Sequence, residues 1–207
     1  MRNIEHPLKQ LEKYLPAGAF DLVAPIIMEH RIHLTVSRER KTILGNYRHA
    51  HLGKNHRISV NGNLNTYEFL FTLLHEIAHL FTFEKYGHQV YAHGAEWKLE
   101  YSKILAVFIE RMALPTDIRD ALKKSMQNPA ASSCSEADLQ RVFKLYDIKK
   151  EGVLFVESLP QGAYFTTGNG RLFQLGKKLR KRFQCTDFYT GQAYLISPIC
   201  EVKQIHL

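Results

Sequence analysis

Apolar and polar positions follow two different periods along the chain, and each period predicts a different kind of element. Two N-terminal segments, 7–16 and 18–32, place apolar residues at helical spacing, and Pro25 interrupts the second. Three short β-branched segments follow, at 32–38, 41–48 and 56–63, separated by Gly45, the polar stretch 49–55 and the turn signal Asn61-Gly62. The pattern predicts two helices and then a small antiparallel sheet.

Residues 66–86 are apolar nearly all round a helix, and their flanks predict where that helix starts and stops. Asn65 offers a side-chain cap, Glu68 offers its reciprocal partner, and Gly87 ends the run. A second long helix is predicted to begin near His93 or Gly94, since apolar residues recur at helical spacing at Trp97, Tyr101, Ile104, Leu105 and Phe108. A third helix is predicted at 115–127, with Pro115 in its first turn.

Residues 128–136 are small and polar and contain Pro129, which predicts a domain boundary. Beyond them we predict one helix, 136–147, and then short β-rich pieces that alternate with turns from 152 to 202. The predicted fold class is α+β, in two domains. Domain 1–128 carries the helices, with the small antiparallel sheet ahead of the long apolar helix, and domain 129–207 is a helix plus a small basic antiparallel β unit.

The composition is that of an ordinary globular protein. At 207 residues, 45% hydrophobic and 23% charged, the chain is long enough for one substantial core and a small second unit. Its three cysteines, Cys134, Cys185 and Cys200, are too scattered for a disulfide framework, which favours a reducing compartment. The N-terminus lacks the apolar core of a signal peptide, and the longest apolar run contains polar residues. We expect a cytoplasmic monomer without a membrane span.

Those polar residues, His75, Glu76 and His79, form the pattern HExxH. Residues four apart lie on one face of a helix, so the two imidazoles can meet at one metal ion. Glu76 projects about 100° further round the helix, where it can reach a water on the open position of the metal. The pattern predicts a zinc site with Glu76 as general base.

A structural interpretation of the same residues is a buried histidine pair with an ion pair to Glu76. The chain contains 11 histidines, so an HExxH pattern can arise by chance. Burying three titratable groups in an apolar helix is nevertheless costly, and one divalent metal compensates all three. A third ligand would separate the two interpretations.

A catalytic zinc takes three protein ligands, and several downstream residues could supply the third. The candidates are His88, His93, Glu84, Glu96 and Glu100. The metzincin pattern is excluded, because Thr82 and Lys85 stand where it requires glycine and histidine. A ligand from the next helix remains, and Glu96 or Glu100 would fit by spacing.

The stretch HGAEWK, at 93–98, completes a resemblance. An HExxH on an apolar helix, a short loop and then HGxEW opening the next helix resemble the SprT-like zinc metalloprotease family, which includes the Spartan DNA-protein-crosslink proteases. The resemblance extends back through the strand segments 42–48 and 56–65, so that it spans roughly residues 15 to 115. Together, HExxH and HGxEW are specific for this family.

The resemblance implies a role for each residue of these motifs. His93 is the third zinc ligand beside His75 and His79, and Glu96 is a supporting residue rather than a ligand. Gly94 lets the backbone turn into the helix, and Trp97 anchors that helix in the core. The implied function is a zinc-dependent metallopeptidase with one catalytic Zn²⁺, in which a metal-activated water attacks a peptide carbonyl and Glu76 accepts its proton.

Such a site needs two further parts, an oxyanion donor and a substrate-binding strand. The tetrahedral oxyanion needs another donor, for which Tyr47, Arg48, His88 and Tyr91 are candidates. The segment 56–63 is expected to be an exposed edge strand that pairs with an extended protein or peptide substrate through backbone hydrogen bonds.

At the C-terminus the chain departs from the bacterial members of the family that it resembles. Many of them carry a zinc ribbon built from cysteine pairs, whereas Cys185 and Cys200 are isolated here. Together with His206 these cysteines could contribute ligands, but a closed structural site requires four. We expect buried, unreactive thiols instead of a second zinc.

The net charge of +8 raises the question of a nucleic-acid partner. Basic residues cluster at 30–57 and again in KKLRKR, at 177–182, where Phe173, Phe183, Phe188 and Tyr189 lie nearby in sequence. Such clusters can neutralise phosphates, although each can equally be a solvated face. The resemblance to Spartan-type proteases favours contact with DNA. The alternative function is a non-catalytic, zinc-containing nucleic-acid-binding protein, and a hydrolase for non-peptide amides is a further one.

Overall fold

The structure is a computed structural model that describes residues 8–40, 42–127, 129, 137–148 and 151–206. The chain forms two compact units, Met1–Asp147 and Ile148–Leu207. Helices and a three-stranded sheet make up the first unit, and a six-stranded antiparallel sheet dominates the second, which confirms the predicted α+β class.

The first unit begins with a short 3₁₀ helix, Lys9–Tyr14, where the sequence pattern predicted an amphipathic helix. Its α-helices are α1 (Phe20–Glu29), α2 (Thr66–Tyr86), α3 (Ala95–Arg111), α4 (Thr116–Gln127) and α5 (Ala137–Lys144). Its strands are β1 (His33–Ser37), β2 (Gly45–Arg48) and β3 (Arg57–Asn61). Pro25 lies within α1 without ending it, at an exposed position of the helix.

The small sheet has the order β1-β3-β2 and is mixed, not antiparallel as predicted. β1 runs parallel to β3, and β2 runs antiparallel to it. The physical reason is burial: Ile58 and Val60 of β3 are buried, so this strand takes the centre, where neighbours cover both of its edges. The expected edge strand at 56–63 is therefore wrong, and the edges are β1 and β2.

The predicted bounds of α2 are confirmed, and local contacts explain them. The Asn65 side chain accepts a hydrogen bond of 3.0 Å from the Glu68 backbone N–H at the start of the helix. Gly87, with φ of 61°, follows the end of the helix and donates its N–H to the Phe83 carbonyl. The helix is buried along most of its length and packs against α3, β2 and β3, which makes it the centre of the first unit.

α5 belongs to the first unit, although the sequence predicted a boundary after residue 128. Leu139 and Phe143 of α5 are buried in the core of that unit. The Phe143 ring stacks on Phe71 of α2 with centroids 5.6 Å apart. The compact unit therefore continues to Asp147, because the amphipathic face of α5 is covered by the helices before it. Most of the predicted linker, 130–136, lies outside the described residues.

The second unit is the predicted small antiparallel sheet. Its strands are β4 (Val153–Phe155), β5 (Tyr164–Thr167), β6 (Leu172–Lys178), β7 (Phe183–Asp187), β8 (Ala193–Ile196) and β9 (Glu201–Ile205), in the order β4-β9-β5-β6-β7-β8. Every pairing is antiparallel. One core of its own, with Phe165, Phe173 and Cys185 at the centre, holds this unit together.

Candidate metal centre

Two helices bring three histidines together in the first unit. His75 and His79 lie one turn apart on α2, and His93 lies in the loop just before α3. Their potential ligand atoms all lie within 4.8 Å of one another. In the described part of the chain, no other group of three or more potential ligands is drawn together in this way. The group is compatible with a metal ion.

The spacing of one nitrogen pair, in His75 and His93, fits a tetrahedral ion. The Nε2 atoms of His75 and His93 are 3.3 Å apart. Two nitrogens that bind one zinc at 2.0–2.1 Å with a tetrahedral angle are about 3.3–3.4 Å apart. The three imidazole rings lie with centroids 4.6–5.3 Å from one another, so no large rearrangement is needed to share one ion.

Trp97 of α3 supports all three imidazoles. Its side chain is fully buried, and its ring centroid lies 4.6 Å from that of His75, 5.3 Å from that of His79 and 4.7 Å from that of His93. Tyr101 stacks on the indole with ring centroids 5.1 Å apart. The resemblance implied that Trp97 anchors α3 in the core, and the structure shows that its side chain also contacts each candidate ligand.

Burial keeps the candidate ligands neutral. Burial, with smaller contributions from His79 and His93, lowers the pKa of His75 to about 3. Burial and the nearby His93 lower the pKa of His79 to about 4. Burial lowers the pKa of His93 as well. At neutral pH the three rings are therefore uncharged, which is the form that binds a metal.

Glu76 lies on the side of α2 that faces β2. It is 7% exposed, and burial raises the pKa of its carboxyl to about 8, against the charge of Arg40 and a hydrogen bond from the Tyr47 backbone N–H. A dication beside it would favour the carboxylate and lower this pKa. The carboxyl of Glu76 is thus expected to be ionised, and able to accept a proton, when a metal ion is bound nearby.

The model of the SprT-like family matches residues 8–119, which is more than half of the chain and contains Glu76 and all three histidines. The chain belongs to the SprT-like family. Membership points to a metallopeptidase-like function for this SprT-like protein. No curated protein and no solved structure matches the chain in the corresponding comparisons. None of the helices in the described residues has both the length and the apolar character that crossing a membrane requires.

The other candidates for a third ligand have different partners in the SprT-like protein. Glu84 forms an ion pair with His30 at 2.9 Å, and Glu100 forms ion pairs with Lys85 and Lys103. The His88 ring lies against His49 and Phe83, with centroids 4.9 and 5.1 Å away. Glu96 lies in the first turn of α3, and its carboxylate faces Gly94. None of these four residues joins the histidine group.

Among the four candidate oxyanion donors, Tyr47 lies beside a candidate ligand. Its ring is parallel to that of His79, with centroids 6.3 Å apart, and its hydroxyl is 2.9 Å from Nδ1 of His56. Burial raises the pKa of Tyr47, so its hydroxyl stays protonated. Arg48 is exposed and Tyr91 is 88% exposed, so neither has a fixed place in the site.

Sequence reasoning missed Gly45 and Arg40. Gly45 was interpreted as a separator between strands, but it is the first residue of β2 and lies against Glu76. Arg40 was counted in the basic patch 30–57, but its guanidinium is held by Asn61, Ser59 and the Leu44 carbonyl. A glycine in a strand segment was the one available signal, because such a glycine often marks a close approach.

The cysteines and basic residues of the second unit are arranged as follows. Cys185 is buried and Cys200 is partly buried, and both are free thiols, whereas Cys134 lies outside the described residues. Burial raises the pKa of Cys185, as expected for an unreactive thiol.

The cations of 177–182 are exposed around the turn between β6 and β7. Phe188 and Tyr189 lie at the other end of β7, and Phe173 is buried.

Proposed function

We propose that this protein is a zinc-dependent metallopeptidase. The observation that carries the proposal is the convergence of three neutral imidazoles, His75, His79 and His93, whose ligand atoms lie within 4.8 Å of one another. The 3.3 Å between Nε2 of His75 and Nε2 of His93 is the spacing expected at a tetrahedral zinc. An open fourth position distinguishes a catalytic zinc from a structural one, and three histidines leave that position open. The rival interpretation, a structural zinc in a nucleic-acid-binding protein, requires a fourth protein ligand.

His75, His79 and His93 would hold the zinc, and a donor set of imidazoles alone suits zinc among the common catalytic metals. When bound, zinc supplies Lewis-acid polarisation of a carbonyl and makes a water more acidic. Trp97 fixes the orientation of the three rings by packing against each of them. The low pKa values of His75 and His79 keep protons from competing for the nitrogens near neutral pH.

Glu76 is the proposed general base. Its carboxylate accepts a proton from the attacking water and passes it to the amine that leaves. The backbone N–H of Tyr47 orients the carboxylate, and the charge of Arg40 supports its ionised form. Because Glu76 follows His75 directly on α2, the helix sets the position of its backbone relative to His75 and His79.

The free edge of β2 is the proposed binding site for an extended protein substrate. The Leu44 carbonyl accepts a hydrogen bond from the Asn61 N–H, so the alternate residues Gly45 and Tyr47 turn their backbone groups away from β3. The Tyr47 N–H binds Glu76, so the backbone groups of Gly45 and the Tyr47 carbonyl are the ones proposed to pair with a substrate. Backbone pairing along such an edge gives affinity with little dependence on substrate sequence. This replaces the expectation for 56–63, which is the central strand.

Glu76→Gln is the decisive variant. We expect one zinc per chain in both the wild type and the variant, with casein hydrolysis in the wild type alone, because the amide cannot accept the proton. Metal analysis and a casein digestion assay measure the two properties. Glu110→Gln, the same substitution at an exposed site on α3, is the matched control and keeps activity. Full peptidase activity in Glu76→Gln would refute the mechanism.

We also propose that the exposed hairpin between β6 and β7 binds DNA. Lys177, Lys178, Arg180, Lys181 and Arg182 are all exposed there, so five cations can approach phosphates. The patch at 30–57 supports this role less, because Arg40 is engaged inside the fold and Lys41 lies outside the described residues. DNA binding would direct proteolysis to proteins on DNA, as the resemblance to Spartan-type proteases implies.

The salt dependence of binding tests this second proposal. If four of the cations contact phosphates, affinity for single-stranded DNA falls about 50-fold between about 50 and 200 mM salt. We expect the double charge reversal Arg180→Glu with Lys181→Glu to weaken binding and flatten this dependence. The matched control reverses Lys123 and Lys124, two exposed cations of α4. Equal losses in both double variants would show that only net charge matters.

A further inference from the structure

Gly45 is a glycine in a strand, at a place where its backbone does not require one. It is the first residue of β2, and its φ lies outside the left-handed region that favours glycine. Glycine is a poor strand residue, because it loses more backbone entropy on folding than any other and has no side chain to pack. Its presence therefore needs an explanation other than backbone conformation.

The space that a side chain would need at Gly45 is already filled. A Cβ built on Gly45 would lie 2.5 Å from Oε1 of Glu76, 2.9 Å from Cγ of Glu76 and 2.8 Å from Cγ2 of Thr72. Contacts that short do not occur at real Cβ atoms, so either the carboxylate or the strand would have to move. The carboxylate of Glu76 thus lies directly against the backbone of β2.

The backbone of β2 also binds that carboxylate. The Tyr47 N–H, which points away from β3, donates a hydrogen bond to Glu76. The strand is itself held in place by Arg40, whose Nη2 donates to the Leu44 carbonyl at 3.2 Å and whose Nε donates to Oδ1 of Asn61 at 2.7 Å. Gly45 allows the close approach, and Tyr47 supplies the hydrogen bond.

We infer that Gly45 is a positioning residue for Glu76: the missing side chain lets β2 fix the carboxylate beside the metal centre. The inference rests on the proposed function for its effect on catalysis, but its geometric part is independent of it. A side chain at position 45 would push the carboxylate away from the Tyr47 N–H. It would leave the three histidines, which lie on other faces and in another loop, free to bind metal.

A double-mutant cycle in thermal unfolding tests the contact without relying on activity. Strand propensity alone predicts that Gly45→Ala stabilises the protein. We expect the opposite in the full chain, a Tm lowered by about 2–10 °C, since overpacking is destabilising. The cycle is run in the Thr72→Ser background, which removes the second short contact. There, we expect Glu76→Ala to abolish most of the Tm loss caused by Gly45→Ala.

Kinetics test the catalytic part of the inference. With zinc bound, we expect Gly45→Ala to lower kcat about 100-fold with little change in KM, because a misplaced base slows the chemical step more than binding. The zinc content should equal that of the wild type. Gly168→Ala is the matched control, since no atom lies within 4 Å of a Cβ there and its φ is outside the left-handed region. It should leave kcat, KM and Tm unchanged.

The outcomes separate the two proposals. An equal Tm loss with and without Glu76 would overturn the inference, as would an unchanged kcat. If Gly45→Ala does not fold alone, recovery of folding by Glu76→Ala supports the inference, and no recovery overturns it. If the wild type hydrolyses no peptide, the proposed function fails, whereas the Tm cycle still decides whether Gly45 and Glu76 are coupled.

Discussion

At the scale of single residues, burial shifts the pKa values of the groups in the candidate metal centre in opposite directions. Burial favours the uncharged form of every group, so it lowers the pKa of His75 and His79 and raises that of Glu76. The imidazoles are thereby prepared to bind a metal, and the carboxyl is left protonated until a positive charge is near. A bound dication satisfies the requirements of all of them together.

These opposite shifts predict the pH dependence of stability in the metal-free protein. His75 and His79 bind protons below about pH 6.5 in the unfolded state, but only near pH 3–4 in the folded state. Their contribution to the free energy of unfolding is therefore present above pH 6.5 and is lost as the pH falls. Glu76 does the reverse: its contribution is present below pH 4.5 and is lost as the pH rises through 8.

We therefore expect the Tm of the first unit in the metal-free wild type to fall between pH 6.5 and 8, and Glu76→Gln to remove this alkaline slope. The acid slope below pH 6.5 should remain in the variant, because the histidines are intact. Thermal unfolding in the presence of a chelator, from pH 4 to 9, measures both slopes. An alkaline slope of equal size in Glu76→Gln would contradict the assignment.

At the scale of elements, Asn65 joins the start of α2 to the end of α5. Its Oδ1 accepts the Glu68 N–H, while its Nδ2 donates to the Phe143 carbonyl at 3.0 Å and to Oδ1 of Asp147 at 2.6 Å. One side chain thus both caps α2, the helix that carries His75 and His79, and holds the last helix of the first unit. Only the capping role was visible in the sequence.

Two substitutions separate these roles. Asn65→Ser keeps an oxygen that can cap the helix but loses the amide donor, and Asn65→Ala loses both. We expect the alanine variant to be less stable than the serine variant by about 1 kcal/mol, the usual effect of a helix cap. Denaturant unfolding of both variants gives the difference. Equal stabilities would mean that the cap contributes nothing here.

Elements that depend on local spacing were predictable, and the order of strands was not. The bounds of α2 follow from Asn65 and Gly87, which act on the neighbouring turns. The pairing of β1 with β3, by contrast, joins residues more than twenty positions apart. Their alternation of apolar residues specifies a strand and a buried face but no neighbour, so an antiparallel meander and the observed mixed sheet have the same local pattern.

At the scale of the whole molecule, the candidate metal ligands and the basic patch 177–182 belong to different compact units. The three histidines belong to Met1–Asp147, and the exposed cations of the β6–β7 turn belong to Ile148–Leu207. Each unit has its own hydrophobic core. We therefore expect two unfolding transitions, of which one responds to metal.

Zinc should raise the Tm of the first unit alone, by about 5–10 °C at a free concentration 100 times the Kd. The transition of the second unit should not move, since none of the three histidines lies in it. Differential scanning calorimetry with zinc and with a chelator measures both transitions. His93→Ala is the control and should abolish the shift. A zinc-induced shift of the second transition would reveal a metal site there.

The sequence by itself determined the α+β class and the long helices, and it predicted the three histidines that the structure brings together as a candidate metal centre. His75 and His79 share a face because of helical geometry, and HGAEWK identified His93 through its family resemblance. Only the tertiary structure decided that β3 is central, that the first unit continues to Asp147, and that Glu76 lies against Gly45. These features depend on contacts between distant segments, which local periodicity does not encode.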